Sequence, residues 1–218
     1  MQTPATQSSQ FTQLQAINLA KIITILLLGS FAIAFGISGM RQVIYLCLHI
    51  GYCVWWLLEQ WIYPERRRVI FNEPVDIMGI LLAILFVGVF YALPGFLAFI
   101  NPNPISLWAV AIGLPLYFFG SLINASADVQ KLTAKQKGVG LVSDGIWRFS
   151  RHINYFGDLL RYLSFSVIAG SPWAYFVPGA IALVYWQRIQ ARERSLVEKY
   201  EDYPEYQQKS KQLIPFIW

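Results

Sequence analysis

Long apolar runs separated by short polar segments dominate the pattern of the chain. Four runs are long enough to span a membrane, because about 20 apolar residues cross the hydrocarbon core as a helix. These are Ala16–Ile37, Val43–Ile62, Ile77–Ile100 and Ile105–Ile123. Two weaker runs follow: Tyr155–Gly170, which contains Asp158 and Arg161, and the short Trp173–Trp186. The pattern predicts an all-α integral membrane protein, a bundle of about six transmembrane helices whose last two form a hairpin.

Composition supports a membrane protein over a soluble one. Hydrophobic residues make up 56% of the 218 positions and charged residues 13%, against about 25% charged in a typical soluble domain. No Asp, Glu, Lys or Arg occurs from Ile77 to Ala127. A stretch of this length without charge holds two spans, which excludes a soluble domain as the main interpretation.

The basic residues predict an orientation. Net charge is +5, and twelve of the seventeen basic residues lie at or beyond Lys131. The loops Tyr63–Asp76 and Asn124–Arg151 are basic, whereas the Ile100–Pro104 loop contains no Lys or Arg. Because Lys and Arg mark cytoplasmic loops, the N-terminus, both basic loops and the polar, helix-like segment Arg188–Trp218 are predicted to be cytoplasmic. Basic residues beside membrane spans also argue against nucleic acid as a partner.

The densest group of chemically useful residues is GIWRFSRHINYFGDLLRY, Gly145–Tyr162. If a helix begins near the histidine, Arg151, Asn154, Asp158 and Tyr162 share one face. Asn and Asp suit ribose hydroxyls or a carboxamide, and Arg suits phosphate. The alternative is a self-satisfied network that tethers the helix, including a pair between Asp158 and the arginine three residues later. Glycine-rich nucleotide loops and zinc motifs are absent from the sequence, so helices must hold any nucleotide, and no metal site is predicted.

Three segments carry a resemblance to a known superfamily. ADVQK, GIWRFSRHINYFGDLL and RERSLVEKYEDYPEYQQKSKQLIPFIW resemble the C-terminal half of the membrane reductases that include steroid 5α-reductases, sterol C14 and Δ7 reductases and DUF1295-like bacterial relatives. The resemblance runs from near Ser121 to the end of the chain. One departure is Ile153, which stands where these proteins usually have a proline after Arg-His, and this loosens the turn into the helix.

The resemblance implies a single membrane domain, 1–218. Residues 1–123 would form the substrate side with four transmembrane helices, and residues 124–218 the half that binds NADPH. The cofactor would be surrounded by Lys131, Arg148, Arg151, His152, Asn154, Tyr155 and Asp158, and closed in by Glu193, Arg194, Tyr200 and Tyr203. The cations have a separate rationale, since NADPH carries a pyrophosphate and a 2′-phosphate.

The implied reaction is NADPH-dependent reduction of a carbon–carbon double bond in an apolar, steroid-like or isoprenoid substrate. In 5α-reductases a glutamate on the second helix and a tyrosine on the third act on the substrate, and Glu59 and Tyr91 lie in the corresponding helices. Each has a plainer interpretation. Glu59 would extend to the basic residues 66–68, and Tyr91 would be an aromatic residue at the membrane interface.

Two other functions stay open. Isoprenylcysteine carboxyl methyltransferases share the Arg-His core but bind S-adenosylmethionine, and they usually have an apolar residue where this chain has Asp158. A non-catalytic lipid-binding membrane protein is the third possibility. The expected location is a multi-pass position in membrane lipid, in the inner membrane if the source is bacterial and in the endoplasmic reticulum if it is eukaryotic.

Overall fold

The computed structural model describes residues 11–218, apart from the side chains of residues 67–69, and all regular elements within that part are helical. Four helical segments there are long and apolar enough to cross a membrane. They are Gln13–Phe35 (α1), Met40–Ile62 (α2), the continuous rod Ile77–Ile100 and Leu107–Gln136 (α6). The prediction of an all-α, multi-pass membrane protein is therefore confirmed.

The rod changes helix type along its length. It consists of α4 (Ile77–Ala83), a π-helical segment (Ile84–Val89), a 3₁₀ turn (Phe90–Ala92) and α5 (Leu93–Ile100). Thr24 Oγ1 of α1 lies 3.1 Å from the carbonyl oxygen of Gly88 and 3.0 Å from that of Ala20 in its own helix. The hydroxyl thus contacts the widened turn, a kind of irregularity that is frequent at functional sites.

The remaining elements are shorter or more polar. They are α3 (Pro64–Val69), a 3₁₀ turn (Gly145–Arg148), α7 (Ile153–Ala169), a 3₁₀ turn (Pro172–Tyr175), α8 (Phe176–Lys199) and α9 (Tyr203–Lys209). Two predicted boundaries were wrong: α6 continues to Gln136 through what the pattern assigned to a loop, and α8 continues well past Trp186. The six-span count rests on the α7–α8 hairpin: α7 is shorter than the other four, with 17 residues, and α8 has 24 residues but is less apolar.

Capping groups explain why three helices begin where they do. Thr12 and Gln15 form a reciprocal capping box, in which each side chain accepts a hydrogen bond from the other residue's backbone N–H. Asp76 accepts from the N–H of Gly79 at 2.8 Å, and Ser106 caps α6 in the same way. Since a capping side chain satisfies an otherwise unpaired N–H, α1 starts before the apolar run itself.

Helices α6 and α7 form the most extensive helix pair in the described chain, and two glycines meet where they cross. A Cβ on Gly120 would lie 2.6 Å from the carbonyl oxygen of Gly157, and a Cβ on Gly157 would lie 2.7 Å from that of Gly120. Any side chain at either position would push the backbones apart. Gly157 therefore serves the close approach of a second backbone.

Arg41 lies at the start of α2, on the side that the predicted orientation assigns away from the cytoplasm, and its contacts give a structural reason for this position. It is buried, and its Nη1 donates to the Ile168 carbonyl at 2.7 Å, at the end of α7. Its Nη2 donates to Asn103 and Pro104 carbonyls at 3.3 Å. A guanidinium at a helix C-terminus satisfies free carbonyls and the negative end of the helix dipole. Arg41 thus anchors α7 to α2.

We expect Gly120→Ala to lower stability by about 1 to 3 kcal/mol, because a methyl group at the crossing forces a backbone shift. Gly29→Ala in α1 is the matched control, since its Cβ would meet nothing within 4 Å. Thermal unfolding in detergent measures both variants. Equal stability of the two would contradict a close-packed crossing.

Candidate functional site

An apolar cavity of about 610 Å³ lies among α1, α2, the rod, α7 and α8. Most of its wall is aliphatic or aromatic. The apolar residues are Ala16, Ile17, Trp56, Phe71, Val75, Leu82, Ala83, Phe86, Val87 and Val184. Its polar groups include Lys21, Tyr52, Tyr91, Asp158 and Tyr162. An apolar pocket of this size with few polar groups is the usual form of a small-molecule site.

A second cavity of about 380 Å³ has the opposite character. Its wall contains six cations and two carboxylates. These are Arg66, Lys131, Lys135, Arg161, Arg188 and Arg192, with Asp128 and Asp158. We call it the cationic cavity. It shares six lining residues with the apolar cavity: Tyr52, Trp56, Phe71, Asp158, Tyr185 and Arg188.

The cationic cavity is bordered by a smaller pocket of about 240 Å³ that shares Lys131 and Lys135 with it. Lys135 Nζ lies 3.1 Å from the Tyr200 hydroxyl, and Lys131 Nζ lies 5.0 Å from the centre of the Trp147 ring. Tyr203 and Arg151 also line this pocket. Positive charge and aromatic rings therefore extend from the centre of the helix bundle towards the C-terminal segment.

Asp158 occupies the boundary between the apolar and cationic cavities. Its carboxylate is ion-paired with Arg161 and accepts a hydrogen bond from the Tyr185 hydroxyl at 2.9 Å. The Tyr185 ring stacks on Tyr155 with centroids 4.3 Å apart, and Asn154 lines the cationic cavity beside them. Of the face of α7 predicted from spacing, Asn154, Asp158 and Tyr162 thus line one or both cavities, whereas Arg151 lines the smaller pocket. The Asp158–Arg161 pair of the alternative, tethering interpretation is also present.

A lysine and three tyrosines cluster on the wall of the apolar cavity. Lys21 Nζ lies 3.3 Å from the Tyr52 hydroxyl, which lies 2.9 Å from the Tyr162 hydroxyl. The Tyr91 and Tyr162 rings meet edge to face at 4.9 Å. Sequence reasoning assigned no role to Lys21. Its signal was a single charge within an otherwise apolar run, which in a membrane span indicates a functional position.

Glu59, the predicted catalytic carboxylate, lies outside the wall of the apolar cavity. It is ion-paired with Arg66, which also pairs with Asp128 of α6. The Glu59–Arg66 ion pair is the contact expected from the plainer interpretation, in which this carboxylate extends to the basic residues 66–68. Arg66 thus joins α3 to α2 and α6 beside the cationic cavity.

Glu193 is the centre of a closed network in the C-terminal segment. It accepts hydrogen bonds from Arg151, His152, Tyr203 and Gln207, at 2.7 to 3.2 Å. Burial alone would raise the pKa of the Glu193 carboxyl, but these hydrogen bonds hold it well below its ordinary value of 4.5. Burial lowers the pKa of His152 and outweighs the opposing effect of Glu193. The network joins the start of α7 to α8 and α9.

Four of the eleven predicted cofactor residues line the cationic cavity: Lys131, Asn154, Tyr155 and Asp158. Arg151, Tyr200 and Tyr203 line the smaller neighbouring pocket, and Arg148, His152, Glu193 and Arg194 line neither. Arg148 is exposed and lines a separate groove with Asp202 and Glu205, and Arg194 is exposed on α8. Arg188 and Arg192 line the cavity instead. Their spacing of four places them on one helix face, whereas Arg194 lies two residues further on and faces away. Helix phase groups Arg188 with Arg192 from the sequence alone, but it does not determine which face of α8 meets the cavity.

Sequence comparisons with known proteins identify a family and several relatives. A family described as "Protein of unknown function (DUF1295)" matches residues 37–212. Delta(14)-sterol reductase of Arabidopsis thaliana is 24% identical over 69% of this chain and 46% of its own length. The Saccharomyces cerevisiae enzyme is 31% identical over 55% and 32% respectively, and that of Methylotuvimicrobium alcaliphilum 24% over 78% and 46%. The chain therefore spans half or less of the length of these relatives.

We expect acid to weaken the attachment of the C-terminal segment. In the folded state, the pKa of Glu193 lies below its ordinary value of 4.5 and that of His152 below its ordinary value of 6.5. Below about pH 6.5 the unfolded chain therefore binds more protons than the folded chain. The stabilisation is complete above about pH 6.5 and decreases as the pH falls, most steeply below 4.5. Hydrogen exchange of α9 measures this loss.

Glu193→Gln should expose α9 already at neutral pH and flatten its acid dependence, because the network loses its charge. Glu198→Gln is the control and should behave as the unaltered protein, because Glu198 lies on the exposed side of α8, the helix that also carries Glu193. An α9 whose protection factor, corrected for the intrinsic pH dependence of amide exchange, does not change between pH 7 and pH 4 would contradict the account of this network.

Proposed function

Since the chain belongs to the DUF1295 family, within the superfamily of the sterol and steroid reductases, we propose that it is a membrane-embedded reductase. It would reduce a carbon–carbon double bond in a sterol-like substrate and use NADPH. The sterol reductases named above support this reaction class over methyl transfer. The acidic Asp158 in the Asn-Tyr-x-Gly-Asp sequence supports it as well.

One observation carries the proposal: an apolar cavity and a cationic cavity have part of their walls in common. A reductase must bring an apolar substrate and a phosphate-bearing cofactor into contact while each occupies surroundings of its own polarity. The shared residues Tyr52, Asp158 and Arg188 mark where the two would meet. Such an arrangement positions reactants before any chemical step.

The cationic cavity has a donor set that fits NADPH. Lys131, Arg188 and Arg192 form no ion pair with any described residue, whereas Arg66 and Arg161 are paired with carboxylates. Unpaired cations in one cavity suit phosphate groups, which bind Arg and Lys through charge-assisted hydrogen bonds. Asn154 and Asp158 would contact ribose or carboxamide groups. NADPH, when bound, supplies the hydride.

The proton must come from the protein, because an isolated alkene accepts hydride poorly without an acid. Two tyrosines on the wall of the apolar cavity are candidate donors: Tyr91, whose hydroxyl has no hydrogen-bond partner among the described residues, and Tyr162, whose hydroxyl lies 2.9 Å from that of Tyr52. Glu59 is less suited to this role than its helix position suggests, since Arg66 holds its carboxylate. We therefore assign Glu59 to the α2–α3–α6 contact.

The charge pattern supports a cytoplasmic location for the cationic cavity. Five of its six cations belong to the basic loop after α2, the end of α6 and the second half of α8, and the sixth, Arg161, belongs to α7. Lys and Arg concentrate on the cytoplasmic side. With α7 and α8 counted as the fifth and sixth spans, both termini are cytoplasmic. NADPH in the cytosol then reaches the cavity directly.

The test begins with ligand protection in detergent. NADPH should raise the unfolding temperature and S-adenosylmethionine should not, because a ligand stabilises only the state that binds it. Sterol dienes and steroid enones are then screened for NADPH oxidation. Protection by S-adenosylmethionine alone would favour a methyltransferase, and protection by neither would favour a lipid-binding protein.

Arg188→Gln should weaken NADPH binding by about tenfold to a hundredfold, since a hydrogen bond to a charged group contributes about 1.5 to 3 kcal/mol. Arg194→Gln is the matched control on the same helix, because Arg194 is exposed and lies outside the cationic cavity. Titration of each variant with NADPH gives the two affinities. Equal losses in both would mean that general charge, and not this cavity, attracts the cofactor.

Tyr91→Phe should leave NADPH affinity unchanged, and a fall in turnover of about 10² to 10⁴, the usual contribution of a positioned general acid, would identify Tyr91 as the donor. Glu59→Gln should lower the unfolding temperature and change turnover much less, because it weakens an ion pair outside the apolar cavity. The comparison uses the first substrate found in the screen. The opposite pattern would return Glu59 to the catalytic role that the resemblance implies.

A further inference from the structure

Lys21 is the feature of the cavity wall that the proposed function leaves unexplained. Its side chain is 2% exposed and has no carboxylate partner among the described residues. Its Nζ has one hydrogen-bond partner in that part of the chain, the Tyr52 hydroxyl. A buried ammonium in a membrane span is costly, so a lysine held there without a counter-ion calls for a functional reason.

The aromatic surroundings favour a cation at this position. Lys21 Nζ lies 4.3 Å from the centre of the Tyr52 ring and 5.5 Å from that of Tyr91. The guanidinium of Arg161 lies 4.2 Å from the same Tyr52 ring. Both distances to Tyr52 are within the range of cation–π attraction. Tyr52 is therefore polarised by two cations.

A chain of hydroxyl groups leads from Lys21 along the cavity wall. Tyr52 Oη is 3.3 Å from Lys21 Nζ and 2.9 Å from Tyr162 Oη. An ammonium has three donor hydrogens and no acceptor, so Lys21 donates and the Tyr52 oxygen accepts. This makes the Tyr52 O–H a stronger donor, and a head-to-tail chain of hydrogen bonds strengthens each member.

The order Lys21 to Tyr52 to Tyr162 leaves the Tyr162 hydrogen without an acceptor in the described chain. Tyr162 lines the apolar cavity and adjoins Asp158 in its wall. The hydrogen is thus available to a molecule bound in that cavity, close to the residues shared with the cationic cavity.

We infer that Tyr162 delivers the substrate proton. Lys21 is a positioning residue: through Tyr52 it orients the Tyr162 hydroxyl and returns a proton to it. The inference rests on the proposed reductase function and names Tyr162, rather than Tyr91, as the donor for its reaction. As the double bond is reduced, one carbon receives hydride from the reduced nicotinamide. The other carbon, or a conjugated carbonyl oxygen, receives the Tyr162 proton. Tyr162 regains a proton from Tyr52, Tyr52 regains one from Lys21, and solvent returns one to the lysine.

A binding experiment without cofactor tests the donor chain. The probes are cholest-4-en-3-one, which carries an acceptor oxygen, and cholest-4-ene, which lacks it, and the readout is ligand-dependent unfolding temperature in detergent. The unaltered protein should prefer the ketone by about three- to tenfold, the contribution of one hydrogen bond. Tyr162→Phe should abolish this preference. Tyr117→Phe, whose hydroxyl lines neither cavity, should keep it. A preference that survives in Tyr162→Phe would overturn the inference.

The role of Lys21 is tested by a double-mutant cycle on the same preference. Lys21→Met and Tyr52→Phe should each reduce it, and the double variant should lose no more than either single one, because both act through one chain. Additive losses would mean that Lys21 acts on the ligand by another route. They would remove the positioning role.

Turnover gives a second readout that separates this inference from the proposed function. With a reducible substrate, Lys21→Met should lower kcat by about tenfold or more and leave KM for NADPH unchanged, since Lys21 lies outside the cationic cavity. In one outcome the protein prefers the ketone, loses this preference in Tyr162→Phe, and oxidises no NADPH with any sterol. This result would contradict the reductase proposal and support the hydrogen-bond chain from Lys21 to Tyr162. Normal turnover in both Lys21→Met and Tyr162→Phe would support the reductase proposal and contradict the role of Tyr162 as proton donor.

Discussion

The backbone contact between Gly120 and Gly157 determines where the polar groups of the bundle can lie. Because neither residue has a side chain, α6 and α7 approach until a Cβ could not fit between them. On the C-terminal side of Gly120, one face of α6 carries the polar residues that line the cationic cavity: Asn124, Asp128, Lys131 and Lys135. Asn124 donates to the Asn154 carbonyl of α7 at 3.1 Å. The crossing thus aligns the two polar faces on one cavity.

Buried polar groups here divide into closed and open sets. Glu193 and its four partners satisfy one another, as do Arg66, Glu59 and Asp128. Such closed sets connect helices, because removing one partner leaves a buried charge uncompensated. Lys21, on the other hand, has a single hydroxyl partner and no carboxylate in the described chain. The open groups border the two cavities, so a ligand can complete what the fold leaves unsatisfied.

The spans and the polar face of α7 could be predicted from sequence because each depends on a regular period or on length. Helix ends depend on single side chains instead: the capping box at Thr12 lengthened α1 beyond its apolar run. Glu59 shows a different limit, since a carboxylate three residues from a helix end can face a cavity or a neighbouring arginine. That choice depends on where α3 turns, which no periodicity in the chain determines.

The arginines of α8 show the same limit for the cofactor half. The resemblance identified a basic C-terminal segment and pointed to Arg194, whereas the structure turns Arg188 and Arg192 towards the cavity. A difference of two residues rotates a side chain by about 200° around a helix with 3.6 residues per turn. Motif position therefore located the site to within one helical turn, and packing against α7 selected the residues.

The central claim is that an apolar substrate and NADPH meet across the wall shared by the two cavities, and isotope transfer tests it most directly. The protein in detergent is incubated with NADPH deuterated at the transferable position and a sterol that it reduces, and the product is analysed by mass spectrometry. The account predicts one deuterium from the cofactor in the product and a second hydrogen derived from water. A reduced product that contains no cofactor deuterium, or a sterol left unreduced while S-adenosylmethionine donates a methyl group, would contradict it.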